Sequence, residues 1–206
     1  MKQQYKTGFR AATAFVGVAA IALAPVAASA VAATANTTVN AIIASTISVT
    51  SSGTVNLNIT PVSGGSQTSA SDTVTVNTNN ATGYNLAVKD ADATLTLTNG
   101  ANTIAASANT FTAGAALANN TWGWAVPSGT TGIGTNNFDA SYSVITNAGT
   151  SASTWTGITA SDQVFKNTTT TASNDVTTVW YSAKADTSKP NGTYADVVTY
   201  TATTNP

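Results

Sequence analysis

The feature that most constrains this chain is a period of two in its apolar residues. Between Asp72 and Asp90, Val74 and Val76 alternate with Thr73, Thr75 and Asn77. After a turn-rich stretch, Tyr84, Leu86 and Val88 then alternate with Asn85, Ala87 and Lys89. Successive side chains of a strand point to opposite faces, so each run reads as a half-buried strand. Asn79, Asn80 and Gly83 tolerate positive φ, and the spacing predicts an antiparallel hairpin here. A lone hairpin is marginal in water, so other strands must cover its dry face.

The rest of the chain supplies them. Alternation predicts strands over residues 37–44, 46–50, 54–60 and 93–98. Asn99-Gly100 is a two-residue turn signal with a short return strand over 103–105. Residues 106–171 are less regular, with short strands expected at 121–126, 142–146 and 163–166. Strands over 175–185 and 193–203 follow, the last preceded by the turn Lys189-Pro190-Asn191-Gly192. Thr accounts for 41 of 206 residues, and its β-branch favours strands while its hydroxyl tolerates water. Charged residues are 7%, far below the roughly 25% of ordinary domains. With 42% hydrophobic residues, the chain is nevertheless apolar enough to fold rather than remain disordered. The expected architecture is all-β, an antiparallel β-sandwich or jelly roll of about nine to twelve short strands.

The N-terminus reads as an export signal. Lys2, Lys6 and Arg10 precede an apolar stretch over 11–27, and Ala28-Ser29-Ala30 fits a cleavage site. The stretch is short and interrupted by Pro25, unlike a spanning helix of about 20 residues. Residues 1–30 are thus expected to be removed, leaving Val31 or Ala33 as the mature N-terminus and residues 31–206 as one all-β domain. The destination is extracellular, at the cell surface, with the membrane met only during export. Beyond residue 30 there are four Lys against eight Asp, a net charge of −4. That excludes the basic footprint of nucleic-acid binding. With no Cys, no disulfide staples the fold.

The closing segment, Tyr194-Ala195-Asp196-Val197-Val198-Thr199-Tyr200-Thr201-Ala202 with Asn205-Pro206, resembles the distal motif of the bacterial WxL-type cell-surface domain. Tyr200 stands where that motif has Trp, and Ala202 where it has Leu. Asn120-Thr121-Trp122-Gly123-Trp124 lies where the family's proximal Trp motif falls. Residues 37–89 are also similar in style to Thr-rich bacterial fimbrial and surface subunits. The resemblance implies a surface β-sandwich and, as in true WxL domains, non-covalent attachment to peptidoglycan.

Candidate sites are few. The chain has no His, Cys or Glu, so Ser–His–Asp and Cys–His arrangements and zinc sites built on imidazole or thiolate are excluded. Asp90 and Asp92 are the close carboxylate pair; their oxygens suit a hard cation such as Ca²⁺, and the competing reading is a solvated turn beside Lys89. Lys89, Lys166, Lys184 and Lys189 are candidates for a lysine–asparagine cross-link, with Lys184 beside the late Trp180-Tyr181 strand. Trp122 and Trp124 share one strand face, where they either pack the core or stack on sugar rings. Trp155, in a Ser/Thr/Gly setting, is expected to be the most exposed Trp.

No cofactor is called for. Three functions stay open: a non-enzymatic surface protein bound to peptidoglycan or another surface glycan; a polymerising subunit whose residues 37–50 add as a strand to another copy or another surface protein; and a carbohydrate-binding module or an Asp-only hydrolase. No side chain of ordinary pKa titrates between about pH 6 and 9, so stability is expected to be flat there.

Overall fold

The computed structural model describes residues 31–92, 94–126 and 154–206. The expected signal segment and the strand expected at 142–146 lie outside the described residues. The chain divides into two units, residues 1–42 and 43–206. The described part of the first, residues 31–42, carries neither helix nor strand and is exposed throughout. Among the described residues no helix is long and apolar enough to cross a membrane.

The second unit is all-β. Its nine described strands are β1 (Ile47–Thr50), β2 (Ser66–Thr78), β3 (Tyr84–Asp90), β4 (Thr96–Asn99), β5 (Asn102–Ala106), β6 (Thr121–Ala125), β7 (Gln163–Asn167), β8 (Ala172–Ala185) and β9 (Val198–Thr204). They form a six-stranded sheet in the order β1-β2-β8-β6-β5-β4 and a three-stranded sheet in the order β7-β3-β9. Neighbours are antiparallel except β5 and β6, which run parallel. Val74, Val76, Trp122, Trp124, Val179 and Tyr181 of the larger sheet share one buried cluster with Tyr84, Leu86, Val88 and Phe165 of the smaller. This is the layered arrangement of a β-sandwich.

The hairpin expected over 72–90 does not form. β2 pairs with β1 and β8, whereas β3 pairs with β7 and β9. Residues 79–83 carry the chain from one sheet to the other, so the two apolar runs contribute to one core from separate layers. Asn80 builds this corner. Its side-chain amide donates to the carbonyls of Gly83 and Asn205, each at 2.8 Å. Gly83 sits at φ 83°, and a Cβ there would lie 2.2 Å from the Thr168 carbonyl oxygen. Only glycine combines that backbone angle with that approach.

The Asn99-Gly100 hairpin does form, as β4 and β5, with Asn99 opposite Asn102. Residues 37–44 and 54–60 are not strands. The latter keep their alternation: Val55, Leu57 and Ile59 pack half-buried against the core. Their backbone nonetheless joins no ladder with another described residue. The carbonyls of Asn58 and Thr60 instead accept from the hydroxyls of Thr68 and Ser66. The closing strand starts later than expected, at Val198. Before it, Ala195 bridges Thr98 of the larger sheet, so the chain changes sheets between Ala195 and Val198.

Candidate functional site

A groove lies beside the unladdered segment. It has a cavity volume of about 870 Å³ and runs between residues 53–61 and residues 189–198. Its floor holds Leu97, Ile104, Trp122 and Tyr181, and its walls carry Leu57, Ile59 and Tyr200. β9 has β3 on one side as its ladder partner among the described strands, so its other side is a sheet edge, and Val198 and Tyr200 of that strand line the groove. Edges left without charge or cover are sites for adding another strand. The 54–60 wall itself carries no charged residue, while Asp72, Lys189 and Asp196 line the groove around it.

Residues 37–46 carry a separate set of apolar side chains. Val39, Ile42 and Ile43 are 88%, 94% and 84% exposed. Three large aliphatic side chains thus stand bare within a five-residue stretch.

The tryptophans are corrected by their burial. Trp122 and Trp124 do share one face of β6, but they are 3% and 0% exposed. Trp124 packs edge-on to Phe165 at 5.6 Å and tilted to Phe111 at 6.1 Å. Trp155, expected to be the most exposed, is 0% exposed, because it exchanges both backbone hydrogen bonds with Ala115 inside the domain. These rings are core, and none offers an open face on which a sugar could stack.

Asp90 and Asp92 are joined by a third carboxylate that the sequence did not place with them. Asp196 lies at the sheet crossing, and oxygens of the three lie within 4.8 Å of one another. Asp90 is buried and Asp92 exposed. Asp90 accepts from the Asp92 amide at 2.9 Å, Asp92 from the Thr94 amide at 2.8 Å, and Asp196 from the Val197 amide at 2.7 Å. The donor set is all oxygen, which suits a hard cation and not zinc.

Burial pushes the Asp196 carboxyl up to about 6; the Val197 amide opposes this, and the nearby Asp90 and Asp92 charges reinforce it. The Thr94 amide holds Asp92 below the usual range, as the Ser188 hydroxyl does Asp186. The sign for Asp196 follows directly. Its folded pKa exceeds the unfolded value near 3.8, so the folded state holds the extra proton between those values. That contribution is fully present below about pH 4 and is lost as pH rises through about 6. The depressed acids act below that window. Stability should therefore fall from about pH 4 to about pH 6, the lower edge of the range expected to be flat. Asp196→Asn should flatten the profile and raise the melting temperature at neutral pH by a few degrees. Melting curves across pH 4–8 check this, and an unchanged slope in the variant would refute it.

The lysines resolve unevenly. Lys184, singled out for a cross-link, is half-buried on β8. Lys89 pairs loosely with Asp162 at 3.8 Å near the surface. The buried lysine is Lys166 of β7, with a side chain 0% exposed. Its Nζ donates to Asp175 Oδ1 at 2.6 Å and to Thr177 Oγ1 at 3.0 Å. It also lies 5.9 Å from the Tyr84 ring centroid. The Tyr84 hydroxyl donates to Asp175 Oδ2 at 2.9 Å. Burial, then Asp175, pushes Tyr84 far above the ordinary phenol range. The alternation Gln163-Val164-Phe165-Lys166 put Phe165 and Lys166 on opposite faces, and both are buried. No local signal marks that second dry face.

No protein-family model, curated protein or solved structure matches the chain.

Proposed function

We propose that this chain is a secreted, non-enzymatic structural protein of the bacterial cell surface that assembles with copies of itself by strand addition. The observation that carries the reading is the exposure of Val39, Ile42 and Ile43 on a segment that joins no ladder. The groove beside residues 54–60 is the acceptor: apolar on its floor, bounded by a sheet edge, and free of charged residues along the 54–60 wall. An added strand gains main-chain hydrogen bonds for affinity, while alternate side chains entering pockets set register. Residues 37–46 span about 33 Å when extended. A non-enzymatic role is supported by the absence of His, Cys and Glu. Retention at the wall through peptidoglycan or another surface glycan is supported by the WxL-like closing segment, and co-sedimentation with purified wall tests it.

Assembly is tested by size exclusion and electron microscopy of protein beginning at Val31 against protein beginning at Thr46. The longer form should give ladders or filaments and the shorter a monomer. Val39→Asp with Ile43→Asp should behave as the shorter form. A longer form that stays monomeric at all concentrations would overturn the proposal.

A further inference from the structure

We propose that Lys166 and Asp175 condense to an internal amide that ties the two sheets together covalently. The two residues lie nine positions apart in sequence but in different layers: Lys166 on β7 of the smaller sheet, Asp175 on β8 of the larger. Lys166 Nζ touches Asp175 Oδ1 at 2.6 Å with the lysine wholly buried. Holding amine and carboxyl in contact removes the entropic barrier of a bimolecular condensation, which is worth many orders of magnitude in effective concentration. Keeping bulk water away weakens the reverse hydrolysis and strengthens each polar contact that steers the step.

The neighbouring groups supply the proton handling. The ammonium passes one proton to Asp175 Oδ1 along their hydrogen bond, leaving an amine and a carboxylic acid. Thr177 Oγ1, 3.0 Å from Nζ, accepts a second N–H and orients the nitrogen. Tyr84 Oη, donating to Oδ2 at 2.9 Å, polarises the carboxyl carbon. The Nζ–Cγ bond forms and the Cγ–Oδ1 bond breaks. Oδ1 leaves with the transferred proton and one more from nitrogen as water. Ammonium plus carboxylate gives amide plus one water, with no change of oxidation state and no co-reactant. The carboxylate side chain is 17% exposed, which gives that water a way out.

The backbone around Asp175 is built to aim it. The β2–β8 register slips between Val76 and Thr78, next to the Val76–Asp175 pair. Asn174 holds a positive φ of 52° while its amide donates to Asn77 Oδ1 at 2.7 Å. Bulges of this kind redirect a side chain. In a chain without cysteine, such an amide does the stapling that a disulfide does elsewhere.

Intact-mass spectrometry of the purified exported protein decides the matter. The amide lowers the mass by about 18 Da, the water expelled, relative to the processed sequence. Trypsin should then fail to cut after Lys166, and fragmentation should give no backbone ions between positions 166 and 175. Lys166→Arg keeps the charge but should restore the full mass. Tyr84→Phe, which keeps the ring in the core, should leave a measurable unlinked fraction even if Lys166→Arg folds poorly. A full-mass wild-type protein cut normally after Lys166 overturns the proposal. So does a loss that maps outside the 166–175 loop.

Discussion

Ending the chain at Asn191 should abolish cooperative unfolding. The truncation removes β9, which pairs with β3 along Tyr84–Asp90 in unbroken register. The smaller sheet would then keep two of its described strands, below what a free-standing sheet needs. More than a ladder is lost. The hydroxyls of Tyr200 and Tyr181 meet at 2.6 Å across the layers, and the Tyr200 ring packs edge-on to Phe165 at 6.5 Å. Asn205 donates to the carbonyls of Thr82 and Thr168, closing the corner that Asn80 builds. Buried partners left without their hydrogen bonds each add a penalty of about 1–3 kcal/mol. Calorimetry should show no sharp transition and light scattering should show aggregation. A cooperative melt within a few degrees of the full domain would contradict this.

Trp124→Ala should cost about 3–5 kcal/mol, the range for deleting a buried aromatic from a packed core. The ring has no exposed surface and bridges Phe111 to Phe165, linking the β5–β6 connection to the smaller sheet. The site cannot collapse easily. Thr156 exchanges both backbone hydrogen bonds with Trp124, and a Cβ on adjacent Gly123 would lie 2.6 Å from the Thr156 carbonyl oxygen. Backbone held this closely resists moving into the cavity. Urea titration measures the loss; a change below about 1 kcal/mol would mean that the ring is not the keystone described.

How far the sequence could be read depended on whether a residue's fate was decided locally. The strands at 121–125, 163–167 and 172–185 and the Asn99-Gly100 turn were legible, since alternation and turn chemistry act within a few residues. Alternation, however, says which face is dry and not which strand lies alongside. The 72–90 segment was therefore read as a hairpin, although its five-residue corner lacks the two-residue turn that ties neighbours in one sheet. The same gap explains residues 37–44 and 54–60, whose pattern is strand-like but which join no ladder with the described strands. Trp155 was misread because small polar neighbours suggest a surface loop, while its burial comes from distant Ala115. The third carboxylate at Asp90 and Asp92, and the dry pairing of Lys166 with Asp175, arise from contacts across layers and leave no local trace.

The central claim is that residues 37–46 of one copy occupy the groove of another. The most direct test titrates a synthetic peptide of residues 35–46 into protein beginning at Thr46, followed by calorimetry. Saturable binding is expected at one peptide per domain, weakened at least about tenfold, or 1.4 kcal/mol, by Val39→Asp in the peptide. The peptide should also stop ladder growth of the full mature chain. No detectable binding, with ladders growing undisturbed, would contradict the account.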